Sequence, residues 1–145
     1  MGYCDVVMGN IWAADTFLGI PVKENIPVNR AAYMEQAFQS SAAILSKFPK
    51  CKSVANTFRF DNKGIRYYAS LFTEEVLYYF GEFTCERVVD KIGSGDCFMA
   101  ALIYGFRRQH SPEYIIDFAA AAAFGKLQEK GDATQQRIEQ IEQRV

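Results

Sequence analysis

Apolar positions along the chain follow two periods. Cys4 to Gly9 is a short apolar run that predicts a buried parallel strand. Ile11 to Leu18 predicts a short helix, stopped by Gly19 and Pro21. A second helix is expected from near Asn29 to Pro49, with Met34, Ala37, Phe38, Leu45 and Phe48 recurring at helical spacing. Cys51 to Phe60 predicts a strand, and Asp61-Asn62-Lys63-Gly64 has turn chemistry. Two strand-like runs follow, Ile65 to Phe72 and Glu75 to Phe83, giving the middle of the chain an antiparallel character. A β-branched segment at Arg87 to Val89 predicts another strand, and a long apolar helix pattern runs from about Gly95 to Gln109.

The C-terminal part is helical in pattern. Ser111-Pro112-Glu113 combines a capping serine with proline in the first turn. The helix it opens carries small side chains from Ala119 to Ala123, which suit tight helix packing or the close approach of a flat ligand. Asp132-Ala133-Thr134-Gln135 resembles a capping box for a last helix, whose apolar stripe is Ile138, Ile141 and Val145. Mixed strands and helices in this order predict an α/β fold built from residues 1–145 as one unit.

Composition narrows the partners. Half of the 145 residues are hydrophobic, so a packed core is expected rather than disorder. The net charge is −1 with charges interspersed, which points to neither nucleic acid nor an anionic membrane. Cys4, Cys51, Cys85 and Cys97 are scattered without Cys-x-x-Cys spacing and predict free thiols in a reducing cytoplasm. His110, the single histidine, stands in a polar connector beside Arg107 and Arg108, where a surface role is expected and zinc is not. No signal peptide and no membrane-spanning run is expected.

The stretch with the most chemistry is Gly93-Ser94-Gly95-Asp96. Glycines let a backbone come close to a ligand, and the amides at a helix start lack internal acceptors. A Gly-x-Gly turn feeding a helix is therefore an anion cradle. Asp96 places a negative charge inside it, which would repel a ligand that was only phosphate. The charge makes sense if the site also activates a hydroxyl that attacks a phosphoryl group, with Asp96 as the base. A structural cap also explains these residues, because aspartate is favoured near helix N-termini. Two nucleotide motifs are excluded by neighbouring positions. A dinucleotide fingerprint needs a third glycine where Phe98 stands and an acid about twenty residues later. A Walker loop needs Gly-Lys-Ser/Thr, which is absent.

Val88 to Phe98, with both aspartates, both glycines and the phenylalanine in place, resembles the C-terminal signature of the ribokinase-like (PfkB-type) carbohydrate kinases. The resemblance implies a ribokinase-like three-layer α/β/α sandwich and an ATP-dependent kinase using Mg²⁺. It implies that Gly93, Ser94 and Gly95 form the anion hole for the transferred phosphate and that Asp96 deprotonates the sugar hydroxyl. Lys91 and Ser94 replace the family's usual Thr and Ala. With Met8-Gly9-Asn10 upstream, the wording is most similar to 2-keto-3-deoxygluconate kinases, with a nucleoside kinase as a more distant alternative. Asn10 and Thr57 fall where the family makes nucleotide-side contacts. The match there is incomplete: Ala13 stands where Asn-x-x-Glu has its glutamate, and Arg59 where Thr-x-Gly has its glycine. Arg59 is expected to be an exposed strand residue.

The resemblance covers the C-terminal, nucleotide-binding half of the family pattern. The N-terminal half, with the sugar-binding lid, is not part of it. Two functions follow as expectations: the catalytic, ATP-binding half of a sugar kinase, or a non-catalytic nucleotide-binding or assembly module. A half-sheet would leave strand edges and apolar surface, so a second copy of the chain or a complementary N-terminal half is expected as partner, beside the sugar and ATP.

Overall fold

A computed structural model describes residues 2–61, 64–79 and 81–145. In chain order the elements are β1 (Val6–Gly9), α1 (Ile11–Leu18), α2 (Arg30–Lys47), β2 (Ser53–Asp61), β3 (Ile65–Thr73), β4 (Val76–Tyr78), β5 (Phe83–Cys85), α3 (Ser94–Arg107), α4 (Pro112–Lys126) and α5 (Ile138–Glu142). The strands form a mixed α/β sheet in the order β1-β2-β3-β4, with β5 also on β3. The chain divides into two compact units, Met1–Thr57 with Ser70–Tyr78, and Phe58–Ala69 with Tyr79–Val145.

In the first unit β1 runs parallel to β2, from Val6 opposite Ser53 to Gly9 opposite Asn56. β1 is half-buried rather than buried, because its only strand partner among the described residues is β2. α1 occupies the expected residues. The Asn10 side chain accepts the Ala13 N–H at 2.8 Å, and Gly19, at φ 61, ends the helix by donating to the Asp15 carbonyl. α2 is capped in the same way, Asn29 accepting from the Ala32 N–H at 2.9 Å. Met34, Ala37 and Ile44 are buried on its inner face. Leu45 and Phe48 are partly buried against a cluster that includes Ala14, Val54 and Phe72. Phe38, expected on that face, is exposed and packs edge-to-face with Phe72, ring centres 5.3 Å apart.

The strand expected from Glu75 to Phe83 is two short strands. Glu74 and Glu75 both have positive φ, 51° and 63°, and make the tight turn that folds β4 back on β3. β5 then pairs with the opposite end of β3, Ile65 facing Cys85. Of the expected turn at Asp61 to Gly64, Asn62 and Lys63 lie outside the described residues; Gly64 has φ 112°.

In the second unit α3 and α4 pack closely. A Cβ on Gly105 would lie 2.8 Å from Ile115 Cγ1, and Ala119 to Ala123 are all buried. Ser111 caps α4 by accepting the Tyr114 N–H at 3.3 Å. Two expectations fail here. Val88 and Val89 form no strand, because the Val89 and Asp90 amides both donate to the Leu127 carbonyl beyond α4 instead of to a neighbouring strand. The last helix is not capped at Asp132 to Gln135, since Thr134 turns its hydroxyl to Glu129 at 2.7 Å. α5 begins at Ile138, where the Arg137 N–H donates to Gln140 Oε1 at 2.8 Å. Only Ile141 of the predicted stripe is buried; Ile138 and Val145 are exposed.

All four thiols are free; Cys51 and Cys97 are buried, Cys85 is half-buried and Cys4 is exposed. His110 is exposed beside Tyr114, ring centres 4.4 Å apart. Among the described residues no helix is long and apolar enough to cross a membrane.

Candidate active site

The turn before α3 combines a left-handed glycine with a helix start. Gly93 has φ 77°, and a Cβ there would lie 1.8 Å from the Asp132 carbonyl oxygen, so no side chain fits. The sequence reading reserved this glycine for a ligand's approach; the structure adds a backbone neighbour that requires it. The first backbone bond of the helix is Cys97 N–H to Gly93 O at 2.9 Å. The amides from Gly93 to Asp96 precede that bond and have no intrahelical acceptor. Four consecutive donors therefore gather at the positive end of a helix dipole.

The side chains of this turn divide between inside and outside. Ser94 is buried, and its hydroxyl donates to the Lys91 carbonyl at 3.2 Å, so the residue offers its amide alone. Cys97 and Phe98 are buried beneath the helix, and the Cys97 thiol, pushed up by burial, donates to the Ala122 carbonyl at 3.4 Å. Asp96 is exposed in the first turn of α3, beside the donor amides. The arrangement brings together Gly93, Ser94, Gly95 and Asp96 as expected.

The loops around the turn hold each other. Asp90 accepts the Ile92 N–H at 3.0 Å and the Gly131 N–H at 2.9 Å. Those amides, Ile92 first, hold its carboxyl below the usual carboxylate range. Sequence reasoning placed Asp90 in the signature without giving it a role, although an aspartate two residues before a turn amide is itself a signal of a side-chain-closed turn. Lys91 pairs with Asp61 at the end of β2. Lys126 is fully buried, its ammonium donating to the Glu129 carbonyl at 3.1 Å. Glu129 in turn accepts from Thr134 and from the Gln135 amide.

In the first unit Asn10 and Thr57 follow the rung formed by Gly9 and Asn56. The Asn10 side-chain oxygen is engaged in capping α1. A small cavity of about 90 Å³ lies at this rung, lined by Val7, Gly9, Asn10, Ala13 and Asn56 among others. Asn56 is held from within by its amide, which donates to Ser41 Oγ at 3.2 Å. Thr57 is half-buried, and Arg59 is exposed, as a surface strand residue should be. Asp15 is also exposed. Among the described residues no group of three or more His, Cys, Asp or Glu side chains could hold a metal ion.

The pfkB family carbohydrate kinase profile matches residues 61–139, more than half of the chain. The 2-dehydro-3-deoxygluconokinase of Thermotoga maritima is 29% identical over 99% of this chain and 41% of its own, with a TM-score of 0.85. A PfkB family carbohydrate kinase of Listeria grayi is 22% identical over 94% of this chain and 39% of its own, with a TM-score of 0.78. Phosphofructokinase-2 of Escherichia coli, solved in complex with potassium, is 14% identical over 99% of this chain and 40% of its own, with a TM-score of 0.72. The last two likenesses are of fold. The chain spans well under half the length of each of these three proteins. No curated protein matches it.

Proposed function

The chain belongs to the pfkB family of carbohydrate kinases, and from that premise we propose that it supplies the phosphate-and-base side of an ATP-dependent sugar kinase. The observation that carries this reading is the α3 turn: donor amides from Gly93 to Gly95, with the Asp96 carboxylate exposed beside them. The amides stabilise charge on the phosphoryl oxygens as the bond to the leaving group loosens. Asp96 takes the proton of the attacking sugar hydroxyl, which raises its nucleophilicity as the new O–P bond forms. The helix dipole favours a carboxylate at this end. Asn10 and Thr57 are assigned nucleotide-side contacts by their family positions alone.

Among the described residues no three potential metal ligands stand together, and Ala13 stands where the family has its glutamate. Mg²⁺ would be held mainly by nucleotide phosphates and water, as this ion commonly is. The 29% identity to the Thermotoga enzyme supports a keto-deoxy sugar acid as the substrate class. Four free thiols fit a cytoplasmic setting. The chain spans 41% of that enzyme, and on this reading transfer also needs a sugar-binding part that lies outside these 145 residues. The module without it binds nucleotide and does not turn over.

A coupled assay of ADP release tests this. The chain is combined with the N-terminal half of a related kinase and a panel of sugars and sugar acids. Transfer that needs both parts and is lost with Asp96→Asn is the expected result. Transfer unaffected by Asp96→Asn would remove the base from the proposal.

A further inference from the structure

Lys91 stands two residues before Gly93, where the family signature usually has threonine. Its backbone belongs to the donor turn, because its carbonyl accepts the Ser94 hydroxyl at 3.2 Å. Its side chain leaves the turn and pairs with Asp61 at the end of β2. Both partners of this pair stand about half in solvent, Lys91 at 47% and Asp61 at 52%. Arg59, two positions earlier on β2, is exposed on the same side of the strand as Asp61. The strand end that Lys91 reaches thus carries an arginine and a carboxylate, and the lysine arrives there from the anion cradle itself.

We propose that Lys91 is a phosphate-binding residue of this chain, released from Asp61 when a polyphosphate enters the donor turn. The proposal rests on the phosphate reading of that turn. Reach allows it, because two residues span at most about 7 Å of chain and the flexible stem of a lysine swings over a comparable length. An ion pair between exposed, flexible side chains is weak, so Asp61 holds the ammonium only loosely. A phosphate seated on the amides offers more negative charge than one carboxylate and takes the ammonium as a further charge-assisted donor. Lysine suits this exchange because its ammonium acts as a point charge and needs no fixed bidentate partner. The usual threonine would bring a hydroxyl and no charge. Asp61 therefore keeps the lysine beside the empty turn and competes with the ligand for it.

Nearby charge alone and competition for Lys91 differ in additivity. If Asp61 only repels the anion, its removal tightens binding equally with or without the lysine. If it competes, the gain shrinks once the lysine is gone. The test is an NMR titration of the 145-residue chain with inorganic tripolyphosphate, following the amides from Gly93 to Asp96 and the ε-methylene of Lys91. In the parent the Lys91 signals should shift together with the amides. Lys91→Gln should weaken binding about tenfold, as expected for losing one hydrogen bond between charged groups, and Lys91→Arg should retain most of it. Asp61→Asn should tighten binding about threefold in the parent and by clearly less beside Lys91→Gln, with cooperative melts confirming each fold. Unchanged binding in Lys91→Gln, or Lys91 signals that stay still while the amides respond, overturns the proposal. Equal tightening by Asp61→Asn in both backgrounds overturns it as well. Parent amides that do not respond to tripolyphosphate would instead overturn the phosphate reading, and the proposal with it.

Discussion

Replacing Gly93 by alanine should damage the protein in two separable ways. At φ 77° an L-residue is strained, at about 1–2 kcal/mol. The added methyl would also start 1.8 Å from the Asp132 carbonyl oxygen, so the backbone of that loop must move. Forced repacking of this kind costs about 1–3 kcal/mol. Gly131 supplies the control. It too has a positive φ, 88°, but nothing lies within 4 Å of its missing Cβ. Gly131→Ala should therefore cost the conformational term alone, about 1–2 kcal/mol, and keeps the N–H that Asp90 accepts. Gly93→Ala should cost about 2–5 kcal/mol in all, from the same two terms together. Urea denaturation of parent and both variants measures the difference, and tripolyphosphate titration follows the donor amides in each. Gly93→Ala should lose both stability and anion binding, whereas Gly131→Ala should lose stability with much less effect on binding. Equal destabilisation by the two substitutions would refute the backbone-contact argument. Normal anion binding by a folded Gly93→Ala would refute the close approach of phosphate to this turn.

Asp96→Asn, in the assembled enzyme, should lower kcat by roughly 10²–10⁴-fold while nucleotide affinity holds or rises, measured as kcat and Kd separately; a near-normal kcat would remove Asp96 from the chemistry. Tyr114 donates to Glu142 Oε1 at 2.9 Å, and its phenol is pushed up to about 12, by loss of solvent first and by Glu142 second. Its neutral form is the one favoured by folding, so its contribution is complete below pH 10 and declines as pH rises towards 12; alkaline melts of Tyr114→Phe should show less of this loss than those of the parent, with the remainder from buried Tyr67, which burial also pushes up. β1 pairs only with β2 among the described residues, and Trp12 and Phe17 on α1 are exposed. The isolated 145-residue chain should therefore self-associate at micromolar concentration and become better behaved with a complementary half, as read by sedimentation.

What the sequence disclosed depended on whether local chemistry or distant pairing decided the outcome. α1 was legible to the residue, because Asn10 and Gly19 cap it with their own local bonds. α4 was legible for the same reason, through Ser111 and Pro112. The segment at Val88 and Val89 was misread, since β-branched residues describe a preference and not a partner. The Val89 and Asp90 amides go to Leu127, some forty positions away, which no local pattern reports. The single strand expected from Glu75 failed in the same way: the left-handed Glu74 and Glu75 fold β4 onto one end of β3, and β5 pairs with the other end. At the site, Gly93 and Asp96 stood out by residue type and spacing. Asp90 did not, because its role lies in reaching Gly131 in another loop.

A base inside an anion cradle raises a conflict that the geometry of α3 eases. Asp96 and the donor amides share one helix end, so the partial positive charge that draws phosphate also stabilises the carboxylate. The two requirements draw on the same field and do not have to be met by separate cations. Repulsion between Asp96 and a bound phosphate remains, and it falls when the carboxylate accepts a proton from the attacking hydroxyl. That relief comes during transfer, when it lowers the barrier, and not on binding, when it would merely tighten the ground state. Loose binding of polyphosphate by the parent chain, strengthened by Asp96→Asn, is therefore the pattern this site should show.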